Sequence, residues 1–159
     1  MWYRVCKSFE IESGHMLSKH PGRCRHPHGH SRRIEVVVAR RRLDERDMVC
    51  DFKALRLALE PYLDALDHAL LVNSDDPALP ALRDAVGTRI VAFEREDPTT
   101  EAIARRIYEH LKGEIEAGRS YADAEGHRYA LPGDLVVERV RVWETSSSWA
   151  EYGVEPGGP

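Results

Sequence analysis

The chain has 159 residues, 42% of them apolar, and a formal net charge of −4. That balance argues against nonspecific nucleic-acid binding, which needs a basic face, and no apolar run approaches the ~20 residues of a membrane helix. Three cysteines at irregular spacing (Cys6, Cys24, Cys50) make no disulfide scaffold, so a reducing cytoplasm is the expected location. The first residues, Met-Trp-Tyr-Arg-Val-Cys-Lys-Ser, lack the apolar region of a signal peptide. A single domain over 1–159 is expected, since this length buries about 68–70% of its unfolded surface.

In sequence order, Tyr3 to Glu12 alternates. Tyr3, Val5, Phe9 and Ile11 share one parity, broken by Lys7, which predicts a half-buried strand. Continued, that parity carries Ser13 and His15 on the apolar face. Residues 16–27 form a loop punctuated by Pro21, Gly22 and Pro27. A second strand runs from His28 to about Arg42. His28, His30, Ile34, Val36 and Val38 share its apolar parity, and Arg32 interrupts it. The two strands are expected to pair antiparallel.

Asp51 is a good N-cap for a helix from Phe52. Phe52, Leu55, Leu59, Leu63 and Leu66 make its apolar stripe, and Pro61 should interrupt and kink it. Asp67-His68 follows where that helix ends. Asn73 to Pro80 is a loop or short helical turn, and Arg89 to Phe93 a short extended piece. Asp97-Pro98-Thr99-Thr100-Glu101 starts a second helix, lined by Ile103, Ile107, Leu111 and Ile115 to about Ala117. Gly118–Gly133 is a long polar loop or a small excursion hairpin. Leu135–Trp143 is a strand with Val136, Val140 and Val142 in phase, a parity that Glu144 continues. Ser146–Ser148 turns into a last strand, Trp149 to Val154, and Glu155–Pro159 is a frayed tail. Strand, strand, helix, helix, strand, strand makes an α+β layer, an antiparallel sheet with two helices on one face.

Chemistry concentrates in Cys24-Arg-His-Pro-His-Gly-His30. On a strand, His28 and His30 present both imidazoles on one side, half of a zinc site. Gly29 between them admits a substrate or another backbone. Cys24, beside cations and a metal, would be a reactive thiol; alternatively it is a small structural residue and the histidines are exposed. His20 and His26 are assigned to solvent, although His26 could compete as a ligand. Cys6 and Cys50 read as structural, Glu101 as a helix-start residue, and Asp51 as an N-cap that could also support a zinc histidine.

Six stretches in order carry a resemblance: Phe9–Leu17 (Phe-Glu-Ile-Glu-Ser-Gly-His-Met-Leu), Cys24–His30 (Cys-x3-His-Gly-His), Met48–Phe52 (Met-Val-Cys-Asp-Phe), Leu66–Leu71 (Leu-Asp-His-Ala-Leu-Leu), Pro98–Glu101 (Pro-Thr-Thr-Glu) and Trp143–Thr145 (Trp-Glu-Thr). Together they resemble the 6-pyruvoyltetrahydropterin synthase superfamily, and within it the 6-carboxytetrahydropterin synthases of queuosine biosynthesis. The resemblance implies a tunnelling fold, ββααββ subunits joining sheets edge to edge into a barrel, usually a hexamer of two stacked trimers. It implies Zn2+ on His15, His28 and His30 with a fourth position open for Lewis-acid catalysis, and 7,8-dihydroneopterin triphosphate as the pterin substrate. Cys24 would be the general base, Asp67 would polarise His68 in a proton relay, Glu144 would grip the pterin ring, and Thr99 and Thr100 would line its pocket. Asp67-His68 could instead be a helix C-terminal cap. Ser74–Asp97 and Gly118–Gly133 are longer than in compact members. A thiol at Cys24 argues against members that use a carboxylate there. The rival readings are a 6-pyruvoyl product, or a zinc-stabilised binding module without catalysis.

Overall fold

The computed structural model describes residues 1–154, so the expected frayed tail lies outside the described residues. In sequence order the elements are β1 (Tyr3–His15), β2 (His28–Arg40), α1 (Phe52–Leu66), β3 (Ala69–Asn73), α2 (Leu79–Val86), β4 (Ile90–Phe93), α3 (Thr100–Glu116), β5 (Ser120–Ala122), β6 (Arg128–Ala130), β7 (Val136–Thr145) and β8 (Ser148–Gly153). The long strands β1, β2, β7 and β8 are antiparallel neighbours, as the alternation predicts. β3 and β4 extend the sheet in parallel beyond β1, giving the order β4-β3-β1-β2-β7-β8. The hairpin β5–β6 stands apart and realises the predicted excursion.

The helical stripes pack as their periodicity predicts, except that Phe52, in the first turn of α1, is exposed and takes no part in the core. Leu55, Leu59, Leu63 and Leu66 of α1 and Ile103, Ile107, Leu111 and Ile115 of α3 join Ile11, Ile34, Val36, Val38, Val140 and Val142 of the sheet in one core. Asp51 accepts from Lys53 N (2.8 Å) and Thr99 from Ala102 N (3.2 Å), the two N-caps. Pro61 does not end α1. It lies on the exposed side, where the carbonyl that loses its partner can turn to water. The helix-free face of the sheet is charged, with Arg139 and Arg141 on Glu151 and Arg33 stacked on Trp143.

Four features depart from the sequence reading. β3, Ala-Leu-Leu-Val-Asn, is almost wholly buried and so shows no alternation to announce it. A short helix, α2, covers a small second cluster of Met16, Val72 and Leu79. In β7 the pairing with β2 slips by one residue between Val37 and Val38. This bulge reverses the phase upstream of it, so Leu135 and Val137 enter the core and Val136 does not. Finally, β1 meets β3 only over Ser13–His15. The outer edge of Tyr3–Ile11 and that of β8 therefore have no partner strand among the described residues.

Two glycines test this packing in opposite directions. A Cβ on Gly153 would lie 2.2 Å from the carbonyl oxygen of Glu138 and 2.7 Å from Arg139 Cα, which are backbone atoms that must move. Gly153→Ala should cost about 1–3 kcal/mol by loosening β8. A Cβ on Gly113 in α3 meets nothing within 4 Å, so Gly113→Ala should gain about 0.5–1 kcal/mol. Denaturant unfolding reads both, and equal stability of the two variants would contradict the register of β8.

Candidate metal centre and active site

The β1–β2 register makes the centre. His15 stands opposite His28, and Ser13 opposite His30. Because side-chain period in a strand is two, this register turns all three imidazoles to the helix-covered side, and a slip by one would turn β2's pair away. The rings sit 4.4 Å (15–28), 5.2 Å (15–30) and 5.1 Å (28–30) apart, centroid to centroid. One nitrogen from each ring falls in a set whose members are all within 4.8 Å of one another. A Cβ at Gly29 would come no nearer than 3.5 Å to Ser13 O, an ordinary contact. Crowding from the surrounding backbone is therefore not what requires a glycine there.

Tautomers follow from the partners. His15 Nδ1 is 2.8 Å from Pro98 O, and His28 Nδ1 is 2.8 Å from His26 O. A carbonyl oxygen only accepts, so both Nδ1 atoms carry the proton. In neutral rings both Nε2 atoms then present lone pairs, and these face each other at 2.9 Å. Two acceptors at that distance repel unless a cation lies between or beside them. His30 Nε2 is buried with no hydrogen-bond partner, a third lone pair or proton left over. Burial lowers the His15 pKa to about 4, with the nearby Arg32 charge acting in the same direction; His30 is lowered by the same two causes in that order. Neutral imidazoles, two of them with proton-free Nε2 atoms, are what zinc needs. The donor set fits a three-histidine site with an open position.

Arg32, the residue that interrupts β2's apolar parity, is fully buried and belongs to the site. It donates to Ser13 Oγ (3.0 Å) and Thr100 Oγ1 (3.2 Å) and lies 3.9 Å from Glu144 Oε2. Its Nη2 is also 3.2 Å from His15 Nδ1. Because that Nδ1 proton goes to Pro98, this contact is charge proximity and not a second hydrogen bond. Thr100 in turn donates to Glu144, whose other oxygen is 3.4 Å from His30 Nε2. Burial works to raise the Glu144 pKa, but the Thr100 hydroxyl, His30 and Arg32 outweigh it and hold the carboxyl below its usual range. The β7–β8 pairing passes from Trp143↔Trp149 to Thr145↔Ser148, leaving Glu144 at a bulge, a device that re-aims a side chain.

The remaining predicted residues are less central. Thr99 spends its hydroxyl on the α3 cap, while Thr100 reaches Glu144. Cys24 is half-buried in a 3-10 turn of the β1–β2 loop, outside the histidine cluster. Asp67 is the C-cap residue of α1, its N–H donating to Leu63 O at 2.9 Å, which leaves its carboxylate for other partners. It accepts from Glu12 N (2.7 Å) and holds His68 Nδ1 (2.8 Å). His68 is 72% exposed and adopts φ +53°, an uncommon conformation for a non-glycine residue. Two contributors had little sequence signal. Pro98 acts through its carbonyl, and Asp97 fixes that segment by accepting from Asn73 Nδ2 and Lys19 N, each at 2.8 Å.

Residues 4–155 match the family described as 6-pyruvoyl tetrahydropterin synthase. The protein belongs to that family. A 6-carboxy-5,6,7,8-tetrahydropterin synthase of Aquifex aeolicus is 31% identical over 98% of this sequence and 100% of its own length. The Synechocystis protein of the same name is 36% identical over 96% of this sequence and 93% of its own. Among solved structures, an uncharacterised protein of Wolinella succinogenes superposes with a TM-score of 0.76 at 23% identity, covering 98% of this protein and 99% of the other. The 6-pyruvoyl tetrahydropterin synthase of Caenorhabditis elegans does so at 0.64 and 18%, covering 96% of each. These two show that the family's fold is shared. No helix among the described residues is long and apolar enough to cross a membrane.

The three histidines should carry the metal. Titration of metal-free protein with zinc is expected to saturate at about one ion per subunit. His28→Ala and His30→Ala should each lose most of that affinity. Stoichiometric zinc retained after all three histidines are replaced would contradict the site.

Proposed function

We propose that the protein is a zinc-dependent 6-carboxy-5,6,7,8-tetrahydropterin synthase, a lyase of the queuosine pathway. It would convert 7,8-dihydroneopterin triphosphate and one water to 6-carboxytetrahydropterin, acetaldehyde and triphosphate. The observation that carries this reading is the junction of two sites: three converging imidazole nitrogens, and the Glu144 carboxylate 3.4 Å from one of them. The two relatives that match nearly full length carry the same activity in their names.

His15, His28 and His30 would hold zinc, which as a Lewis acid makes the C–H bonds of the substrate's propyl arm more acidic. Glu144 would accept from the ring N–H and amino group that a pterin presents side by side, one to each oxygen. Thr100 and Arg32 would keep that carboxylate in place, and Thr99 would line the pocket beside them. Cys24 would take the proton as general base. Asp67 holds His68 by Nδ1, which leaves Nε2 for proton transfer.

The open edges of β1 and β8 support the expected assembly. Joining β1 of one copy to β8 of the next would close rings of three and hide both edges, and two stacked rings would give a hexamer. Asp67 lines a groove along the free edge of β1 with Lys7, Phe9, Ile11 and Leu63. Edge pairing there would seat Asp67 and His68 at the boundary between copies. The three unpaired cysteines suit a cytoplasmic location.

Product analysis tests the reading. Zinc-loaded protein given 7,8-dihydroneopterin triphosphate should release acetaldehyde. A pyruvoyl product without acetaldehyde would assign the sister activity, and no turnover would leave a binding module. Cys24→Ala should retain zinc and lose at least ~100-fold in kcat. Near-normal kcat in that variant would remove Cys24 from the chemistry.

A further inference from the structure

Between Glu12 and Glu35 the sequence has no acidic residue. Within this stretch the β1–β2 loop carries Lys19, Arg23 and Arg25, all exposed, with His20 and His26 beside them. This concentration of positive charge belongs to a protein whose net charge is −4. Elsewhere cations are mostly matched, as Arg4 is by Glu138, Lys53 by Asp123 and Arg105 by Glu96. Among the described residues, none of the three loop cations pairs with a carboxylate.

The loop is also held in shape. Leu17 N donates to Cys24 O at 2.9 Å, Arg25 N to Gly22 O at 3.1 Å, and Lys19 N to Asp97 Oδ2 at 2.8 Å. It leaves β1 at His15 and returns at His28, so the metal histidines are its two gateposts. Glu144 lies on the other side, against His30, two residues deeper in β2. The order is thus carboxylate, histidine cluster, cationic loop.

We propose that this loop is a polyphosphate subsite in which Lys19, Arg23 and Arg25 bind the triphosphate arm of the substrate. The proposal rests on the pterin reading above and extends it. A pterin head held at Glu144 with its propyl arm over the histidines points its far end toward the loop. Arginine forks match phosphate oxygens two at a time, and lysine serves as a point charge. The same contacts retain inorganic triphosphate after it leaves the pterin. Cations that were only solvating the loop would leave substrate affinity untouched.

The test compares Arg23→Ala/Arg25→Ala with wild type and with Arg83→Ala, an arginine on α2 outside the loop. Both arginines of the loop are exposed, so the double variant should melt like wild type, and Arg23→Lys/Arg25→Lys guards against local misfolding. The double alanine variant should raise KM for 7,8-dihydroneopterin triphosphate at least about tenfold. Inorganic triphosphate should lose affinity by a similar factor, neopterin without phosphate should bind as before, and the lysine variant should recover most of the loss. Unchanged affinity for inorganic triphosphate and unchanged KM would overturn the subsite, as would an equal loss of neopterin binding. Wild-type protein that holds inorganic triphosphate through Arg23 and Arg25, yet neither binds neopterin nor turns over the substrate, would support the anion subsite while overturning the pterin reading.

Discussion

His15 and His28 each give their Nδ1 proton to a backbone carbonyl, and the rest of the site depends on those two bonds. They fix the tautomers, and the tautomers bring two Nε2 lone pairs to 2.9 Å. Such an arrangement is stable only with positive charge at the meeting point. Holding the ligands by their second nitrogen is the usual way a protein orients metal histidines. The bonds also tie distant parts of the sequence together. Pro98 precedes α3, and Asp97 pins its segment to Asn73 at the end of β3 and to Lys19 in the cationic loop. Strand register, the α3 cap and the loop therefore converge on one cluster.

Arg32 raises a problem of charge. A guanidinium with no solvent exposure beside a cation site is costly unless its donors are satisfied and a counter-charge is near. Ser13 and Thr100 take two of its donors, and Glu144 supplies the negative charge. The same carboxylate faces His30. Glu144 thus balances a buried arginine on one side and meets the histidine cluster on the other. That arrangement gives an ionised, aimed carboxylate in a partly buried place, which suits an anchor for a ligand with two adjacent donors.

Much of the site was legible because strand parity is a strong signal. The alternation of β1 and β2 put His15, His28 and His30 on the apolar side, and the parity of β7 did the same for Glu144. What parity could not show was interruption and context. The bulge between Val37 and Val38 exchanged Val136 for Val137 in the core, since a slip in pairing leaves no mark in the residue pattern. Arg32 read as a break in the stripe because a buried cation looks like an exposed one until its partners are known. The carbonyl of Pro98 has no side-chain signature at all. β3 and α2 escaped for the opposite reason: a fully buried strand has no period, and α2 buries only Leu79. Asp67-His68 was found as a pair; Asp67 caps α1 through its N–H, and its carboxylate clamps β1 as well.

On the reading proposed above, three histidine nitrogens, and no sulfur, hold a metal at the β1–β2 register. X-ray absorption at the zinc edge of the loaded protein measures this ligand set directly. Three nitrogen scatterers at about 2.0–2.1 Å are expected, with one oxygen completing the shell. A sulfur scatterer at about 2.3 Å would make Cys24 a ligand and contradict the account, as would a shell of oxygen alone.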